Sequence, residues 1–204
     1  MNLVNRHVDD HAFAFHPTDP DFILVGSDGG LYESRDNMAK WRFMQGIDVA
    51  QFYKIAPDDS YPFYNVYGGT QDNSTQGGPS RTMRADGIRN GDWYLTMGAD
   101  GHGPATEPGN PNIMYSQMQQ GGLRRHDKML RENVNVQPQA MPGEPAERFN
   151  WDAPINVSHH DPKRLYHASQ HMWRSDNRGD SWTPISGDLT KNGNRLTYEM
   201  MDTT

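Results

Sequence analysis

Three aspartates stand in segments where carboxylate chemistry could be carried out. They are Asp72 in Gly69-Thr70-Gln71-Asp72-Asn73, Asp100 in Gly98-Ala99-Asp100-Gly101-His102-Gly103, and Asp152 in Asn150-Trp151-Asp152-Ala153-Pro154. Hydrolysis of a glycosidic bond asks for two such carboxyl groups about 5 to 10 Å apart, one acting as acid and the other as base or nucleophile. Gly-rich loops beside strands can bring distant carboxyls together. The same residues also shape tight turns by bonding their own backbone, so the positions of the carboxyl groups in space separate the two readings. Gln71, Asn73, His102 and Trp151 lie beside these aspartates. They supply amide, imidazole and indole groups able to hold a peptide backbone or a sugar ring.

A second constellation is His7-Val8-Asp9-Asp10-His11. Strand alternation puts His7, Asp9 and His11 on one face, a two-histidine, one-carboxylate set of the kind that holds a divalent metal. Neighbours on a strand face are about 7 Å apart, so ligation of one ion by all three strains the geometry. The set reads as a structural network, and no metal or other cofactor is expected.

The elements that must position these groups are announced by an octet, Ser175-Asp176-Asn177-Arg178-Gly179-Asp180-Ser181-Trp182, which is read as S-x-D-x-G-x-x-W with Asp176 as its acid. In a strand-turn-strand unit the Ser175 hydroxyl and the Asp176 carboxylate accept turn N–H groups, Gly179 takes a positive φ and Trp182 packs back across the hairpin. A weaker copy, Ser34 to Trp41, keeps Ser34, Asp36 and Trp41 and loses the glycine. The copies are 141 residues apart, three steps of 47. Polar turns at Asp19-Pro20, Asp58-Asp59, Asn110-Pro111 and Asp161-Pro162 cover nearly the same span, 142 residues from Asp19 to Asp161. Four repeats follow.

Each turn leads into a short apolar run: Phe22 to Val25, Phe63 to Tyr67, Ile113 to Tyr115 and Leu165 to His167. Further strands are expected at Leu31 to Ser34, Leu123 to His126 and Met172 to Ser175, before the turns at His11 to Phe15, Gln51 to Ile55 and Pro154 to Val157, and after the octets. Four strands in a repeat of roughly 40 to 50 residues is the period of a β-propeller blade. The expected fold is therefore all-β, with four four-stranded antiparallel blades over residues 7–46, 47–93, 94–149 and 150–190, and with 191–204 as a tail or the start of a further blade. Propellers have four to eight blades, and the chain reads as an arc of a larger ring. The polar run Gln71 to Gly78 reads as an exposed loop, and Gln137 to Pro145 as a Pro-rich excursion between strands.

Composition sets limits on function. Hydrophobic residues make up 34% of the chain and mean hydropathy is −0.93, values that border on disorder. Five Trp, nine Tyr and seven Phe argue instead for a packed core. A net charge of −7 without a basic stripe argues against nucleic acid, and no apolar run reaches the roughly 20 residues of a membrane span. The absence of Cys excludes disulfides and thiolate chemistry. Residues 1–7 do not form the apolar region of an export leader.

The octet resembles the Asp-box, or bacterial neuraminidase repeat, of sialidases, xyloglucan-degrading propellers and sortilin-type receptors. Four stretches resemble one bacterial group within that set, described as sortilin-like or as glycosyl hydrolases with these repeats: His7 to Ala12, Tyr67 to Asn73, Gly87 to Tyr94 and Asp176 to Trp182. The resemblance implies a propeller from a longer, secreted or periplasmic protein, partnered by its remaining blades and by a peptide or carbohydrate ligand. It also implies a structural role for Ser34, Asp36, Trp41, Ser175, Asp176, Gly179 and Trp182, because Asp-boxes lie on outer hairpins away from the channel. Ligand binding is the favoured function, and a glycoside hydrolase using Asp72, Asp100 or Asp152 is the alternative. The chain lacks the Arg-Ile-Pro or Arg-Leu-Pro element that commonly supplies the first arginine of a sialidase.

Overall fold

The computed structural model describes residues 6–47 and 49–199. Residues 1–5 of the segment read for an export leader, and the last five residues of the tail, lie outside the described residues. Sixteen strands form four separate four-stranded sheets, each an antiparallel meander in chain order. The first sheet holds β1 (Asp10–Phe15), β2 (Ile23–Ser27), β3 (Gly30–Ser34) and β4 (Arg42–Phe43). The second holds β5 (Lys54–Pro57), β6 (Asn65–Gly69), β7 (Thr75–Pro79) and β8 (Tyr94–Met97). The third holds β9 (Ala105–Thr106), β10 (Ile113–Met118), β11 (Gly122–Asp127) and β12 (Glu132–Asn135). The fourth holds β13 (Ile155–Val157), β14 (Leu165–Ala168), β15 (Met172–Ser175) and β16 (Thr183–Pro184). Four successive meanders of this kind are β-propeller blades. Among the described residues no helix is long and apolar enough to cross a membrane.

Two expectations about the second blade are corrected. β8 pairs with β7 through Thr75↔Met97 and Gln76↔Leu95, so this blade runs past residue 93. The polar run from Gln71 to Gly78 is not one exposed loop, because its second half is β7, with Thr75, Gly77 and Gly78 buried. Its glycines are there for packing, since a Cβ on Gly77 would lie 2.6 Å from the Tyr67 ring and one on Gly78 would lie 2.5 Å from Trp93. Aromatic rings occupy the space that side chains would fill, which is why a strand of low β-propensity survives.

The octets are turns between the third and fourth strands of their blades, and they superimpose bond for bond. In the fourth sheet Gly179 N donates to Ser175 Oγ at 2.8 Å, and Ser181 N donates to Asn177 Oδ1 at 3.0 Å. In the first sheet Met38 N donates to Ser34 Oγ at 2.9 Å, and Lys40 N donates to Asp36 Oδ1 at 2.8 Å. The equivalent of Asp36 is thus Asn177. The expected role of Asp176 is corrected: one residue out of register, its carboxylate turns outward to Arg174 and Arg164. Gly179 has φ +90° as expected, and Met38 adopts φ +67° in its place.

Successive blades are joined by a recurring cross-link. Lys128, in the β11–β12 turn, donates to Asp58 Oδ2 at 2.7 Å, in the β5–β6 connection of the preceding sheet. Arg178, in the β15–β16 turn, reaches back to Glu107 in the β9–β10 connection through two bonds of 2.7 Å. Beneath that second link an apolar cluster of Ile113, Tyr115, Leu123, Val136, Val157 and Leu165 fills the seam between the third and fourth sheets. The Trp182 indole closes it by donating to Val136 O at 2.7 Å.

Candidate functional site

Meander topology sorts the loops into two sets. In every blade the entry to the first strand, the turn between the second and third strands and the exit from the fourth strand share one end, and the octets lie at the other. Asp28 (β2–β3 turn), Asp72 and Asn73 (β6–β7 turn), Asp100 and His102 (β8–β9 connection) and Trp151 and Asp152 (before β13) all fall at the first end. A chain of hydrogen bonds runs across this end through all four sheets. Asn73 Nδ2 donates to Asp28 O at 2.9 Å, Asp72 N to Asp100 Oδ1 at 2.8 Å, Asp100 N to Gln119 Oε1 at 3.2 Å and Gln120 N to Trp151 O at 3.1 Å.

The carboxylates gather unevenly along this chain. One oxygen each from Asp9, Asp28 and Asp72 lies within 4.8 Å of the others, close enough to share a proton or a cation. The hydrogen bond between the Asp72 and Asp28 carboxyls, aided by desolvation and by Asp100, pushes Asp72 up to about 6. That same bond, followed by the His11 contact, holds Asp28 below the usual carboxylate range. Below about pH 6 the two carboxyls hold one proton between them, more on Asp72 than on Asp28. Asp152 stands apart, paired with Lys54 Nζ at 3.1 Å. Of the three aspartates singled out in the sequence, Asp72 and Asp100 meet and Asp152 is engaged elsewhere.

Around them stands an aromatic wall. The Tyr53 ring stacks on His102 with centroids 5.1 Å apart, and Trp151 meets His102 edge-on at 6.1 Å. Tyr53 and Trp151 are each 47% exposed, whereas His102 is 2% exposed. The expectation that His102 contacts a ligand is corrected: it is buried against two exposed rings. It reaches that depth because Gly69 has no Cβ where the His102 carbonyl crosses it. The Tyr53 hydroxyl donates to the Gln71 carboxamide, and the Asn73 amide is committed to Asp28 O and Gln71 O. Desolvation and the charges of Asp100, Asp72, Asp152 and Asp28 push the Tyr53 phenol up, keeping it a hydrogen-bond donor.

The set of His7, Asp9 and His11 is not brought together. Asp9, at φ +61°, turns toward Asp28 and Asp72, while His11 Nε2 binds Asp28 and His7 Nδ1 lies 3.0 Å from Val8 O. Asp28 and Tyr53 were missed in the sequence. Asp28-Gly29-Gly30 occupies the same place in its blade as Asp72-Asn73-Ser74, so superposing the repeats would have found it.

No protein-family model matches the chain, and no curated protein matches it. Among solved structures it is similar to a GH74 enzyme of Niastella koreensis (16% identity, TM-score 0.46, covering 86% of this chain and 24% of that one). It is similar also to the GH74 xyloglucanase from Xanthomonas campestris (17% identity, TM-score 0.46, 88% of this chain and 30% of that one). A third similar structure is that of the RRP9 WD40 repeats (10% identity, TM-score 0.44, 89% of this chain and 52% of that one). The chain spans 24% to 52% of the length of these structures.

Proposed function

We propose that this chain is a segment of an Asp-box β-propeller within a longer, exported protein, and that it binds carbohydrate at the end of the blades opposite the Asp-boxes. The observation that carries the reading is the pair of half-exposed rings, Tyr53 and Trp151, both packed on His102 beside the Asp28, Asp72 and Asp100 carboxylates. Exposed aromatic faces stack on the apolar faces of pyranose rings, and carboxylates accept from their hydroxyls. The matched bonding of the octets, Ser34 with Asp36 and Ser175 with Asn177, supports the Asp-box assignment. Calorimetric titration with neutral polysaccharides tests the site: Trp151→Ala and Tyr53→Ala abolish binding. Binding of an extended peptide in place of every glycan would replace carbohydrate as the ligand. Export is tested by fractionating cells that produce the full-length parent.

The spacing of the carboxyls argues against glycoside hydrolysis, because Asp72 and Asp28 are hydrogen-bonded to each other rather than about 5 to 10 Å apart, and Asp152 is paired with Lys54. Release of reducing sugar by the parent protein, lost in both Asp72→Asn and Asp28→Asn, would overturn this.

A further inference from the structure

We infer that the long connection between the third and fourth sheets forms a second binding site, for a neutral, hydroxyl-rich oligosaccharide. Residues 136–154 hold no strand or helix, and connections longer than about 12 to 15 residues without such structure are commonly functional. This one is anchored at both ends. Gln137 Nε2 donates to Gln120 O at 3.1 Å, and Arg148 N donates to Gln170 Oε1 at 2.6 Å. Between the anchors it lines an open cleft of about 520 Å³, within the range of roughly 300 to 1,000 Å³ usual for small-ligand sites.

The wall selects the ligand chemistry. Gln120, Gln137, Gln139, Glu144, Glu147 and Phe149 face the cleft. Gln137 and Gln139 each give one amide N–H to a backbone carbonyl, Gln139 Nε2 binding Gln137 O at 3.2 Å, which leaves each a second N–H and its oxygen for a ligand. Arg148, the cation of this wall, is held by Asp188 Oδ2 at 2.7 Å and Thr190 Oγ1 at 2.9 Å, and with Glu144 and Glu147 beside it the wall carries no net positive charge. Glu147 is fixed in place: its side chain is 6% exposed, and its carboxylate takes bonds from Ser169, His171 and the Trp173 indole. Phe149 supplies an apolar edge and is itself seated on Gly121 and stacked on His167 at 5.4 Å. A wall of carboxamides and carboxylates with no net positive charge matches a ligand rich in O–H groups, which both donate and accept.

This cleft adjoins the Tyr53 and Trp151 wall, since Gln120 N donates to Trp151 O at 3.1 Å, but neither ring lines it, and its test keeps the two apart. The ¹⁵N-labelled full chain is titrated with maltotriose, cellotriose and xylotriose, and with fully deacetylated chitotriose as the cationic comparison. The expected result is saturable shifts of the Gln120, Gln137 and Gln139 side-chain amides with at least one neutral trisaccharide. Replacing two carboxamides in Gln120→Leu/Gln139→Leu weakens that affinity about tenfold or more with an unchanged melting temperature. Asp72→Asn and Tyr53→Ala leave these shifts as they are. The inference is overturned if no neutral trisaccharide shifts these amides saturably, if the double variant binds equally well while folded, or if the cationic trisaccharide binds more tightly than every neutral one.

Discussion

Arg178 and Glu107 form a two-bond pair, each bond 2.7 Å, between a turn of the fourth sheet and a connection of the third, with Glu107 only 3% exposed. Arg178→Ala leaves that carboxylate buried without its partner. Breaking a pair of this kind costs on the order of 3 kcal/mol. Urea unfolding will show a lower midpoint for Arg178→Ala, and Glu107→Gln in the same background will recover part of the loss.

The link from Lys128 to Asp58 gives an acid-dependent signature. Burial disfavours the Asp58 charge, but bonds from Lys128, Asn65 and Ser60 outweigh it and hold the group far below the ordinary range. A depressed carboxyl contributes stability that is present above its unfolded value, about 3.9, and lost as pH falls below that toward the folded value. Stability will therefore drop as pH is lowered from 4. In Lys128→Met the drop will be shallower and stability at pH 7 lower, as read by thermal melts across pH 2 to 7.

Asp72 has the opposite sign. Its folded value is raised to about 6, so between pH 4 and 6 the folded state binds more protons than the unfolded one. Stability from this group falls as pH rises through that window. Asp72→Asn will flatten the melting temperature over pH 4 to 6 and raise it at pH 7. Asp28→Asn will return the Asp72 titration toward ordinary carboxylate values, measured by carboxyl ¹³C shifts.

The two octets allow a paired test of register. Asn177→Ala removes the acceptor of Ser175 Oγ and Ser181 N, a loss of about 1 to 2 kcal/mol. Asp176→Ala removes exposed ion pairs and will change stability little. Met38→Gly relieves a side chain from the left-handed region and will stabilise by about 1 kcal/mol. Chemical unfolding of the three variants distinguishes the assignments.

Gly69 and Gly26 form a contrast within equivalent strands. A Cβ on Gly69 would collide with the His102 backbone, whereas one on Gly26 meets nothing within 4 Å. Gly69→Ala will destabilise by about 1 to 3 kcal/mol and displace His102 from its two rings, visible as a change in Trp151 fluorescence. Gly26→Ala will do neither.

These particulars show what the sequence could and could not carry. The blades were legible because Ile23, Met114 and Leu165 recur after polar turns, and because two octets stand three repeats apart. β7 was hidden because Gly77 and Gly78 read as loop until the rings of Tyr67 and Trp93 are seen to cover them. Asp176 was chosen over Asn177 by side-chain type, although the offset from Ser175 favoured Asn177, whose amide oxygen serves as well as a carboxylate in accepting an N–H. At the site, Asp72 and Asp100 were found through their Gly-rich surroundings. Their neighbours Asp28 and Tyr53 belong to segments far away in the chain, and only the stacking of blades brings them in.

Both cross-links run in one direction, from a later blade back to a buried acid in the one before it. An earlier blade is thus finished by its successor: until the fourth sheet forms, Glu107 has a carboxylate to bury and no guanidinium to meet it. Hydrogen exchange of the full chain will accordingly show the third sheet losing protection in Arg178→Ala, with the second unchanged.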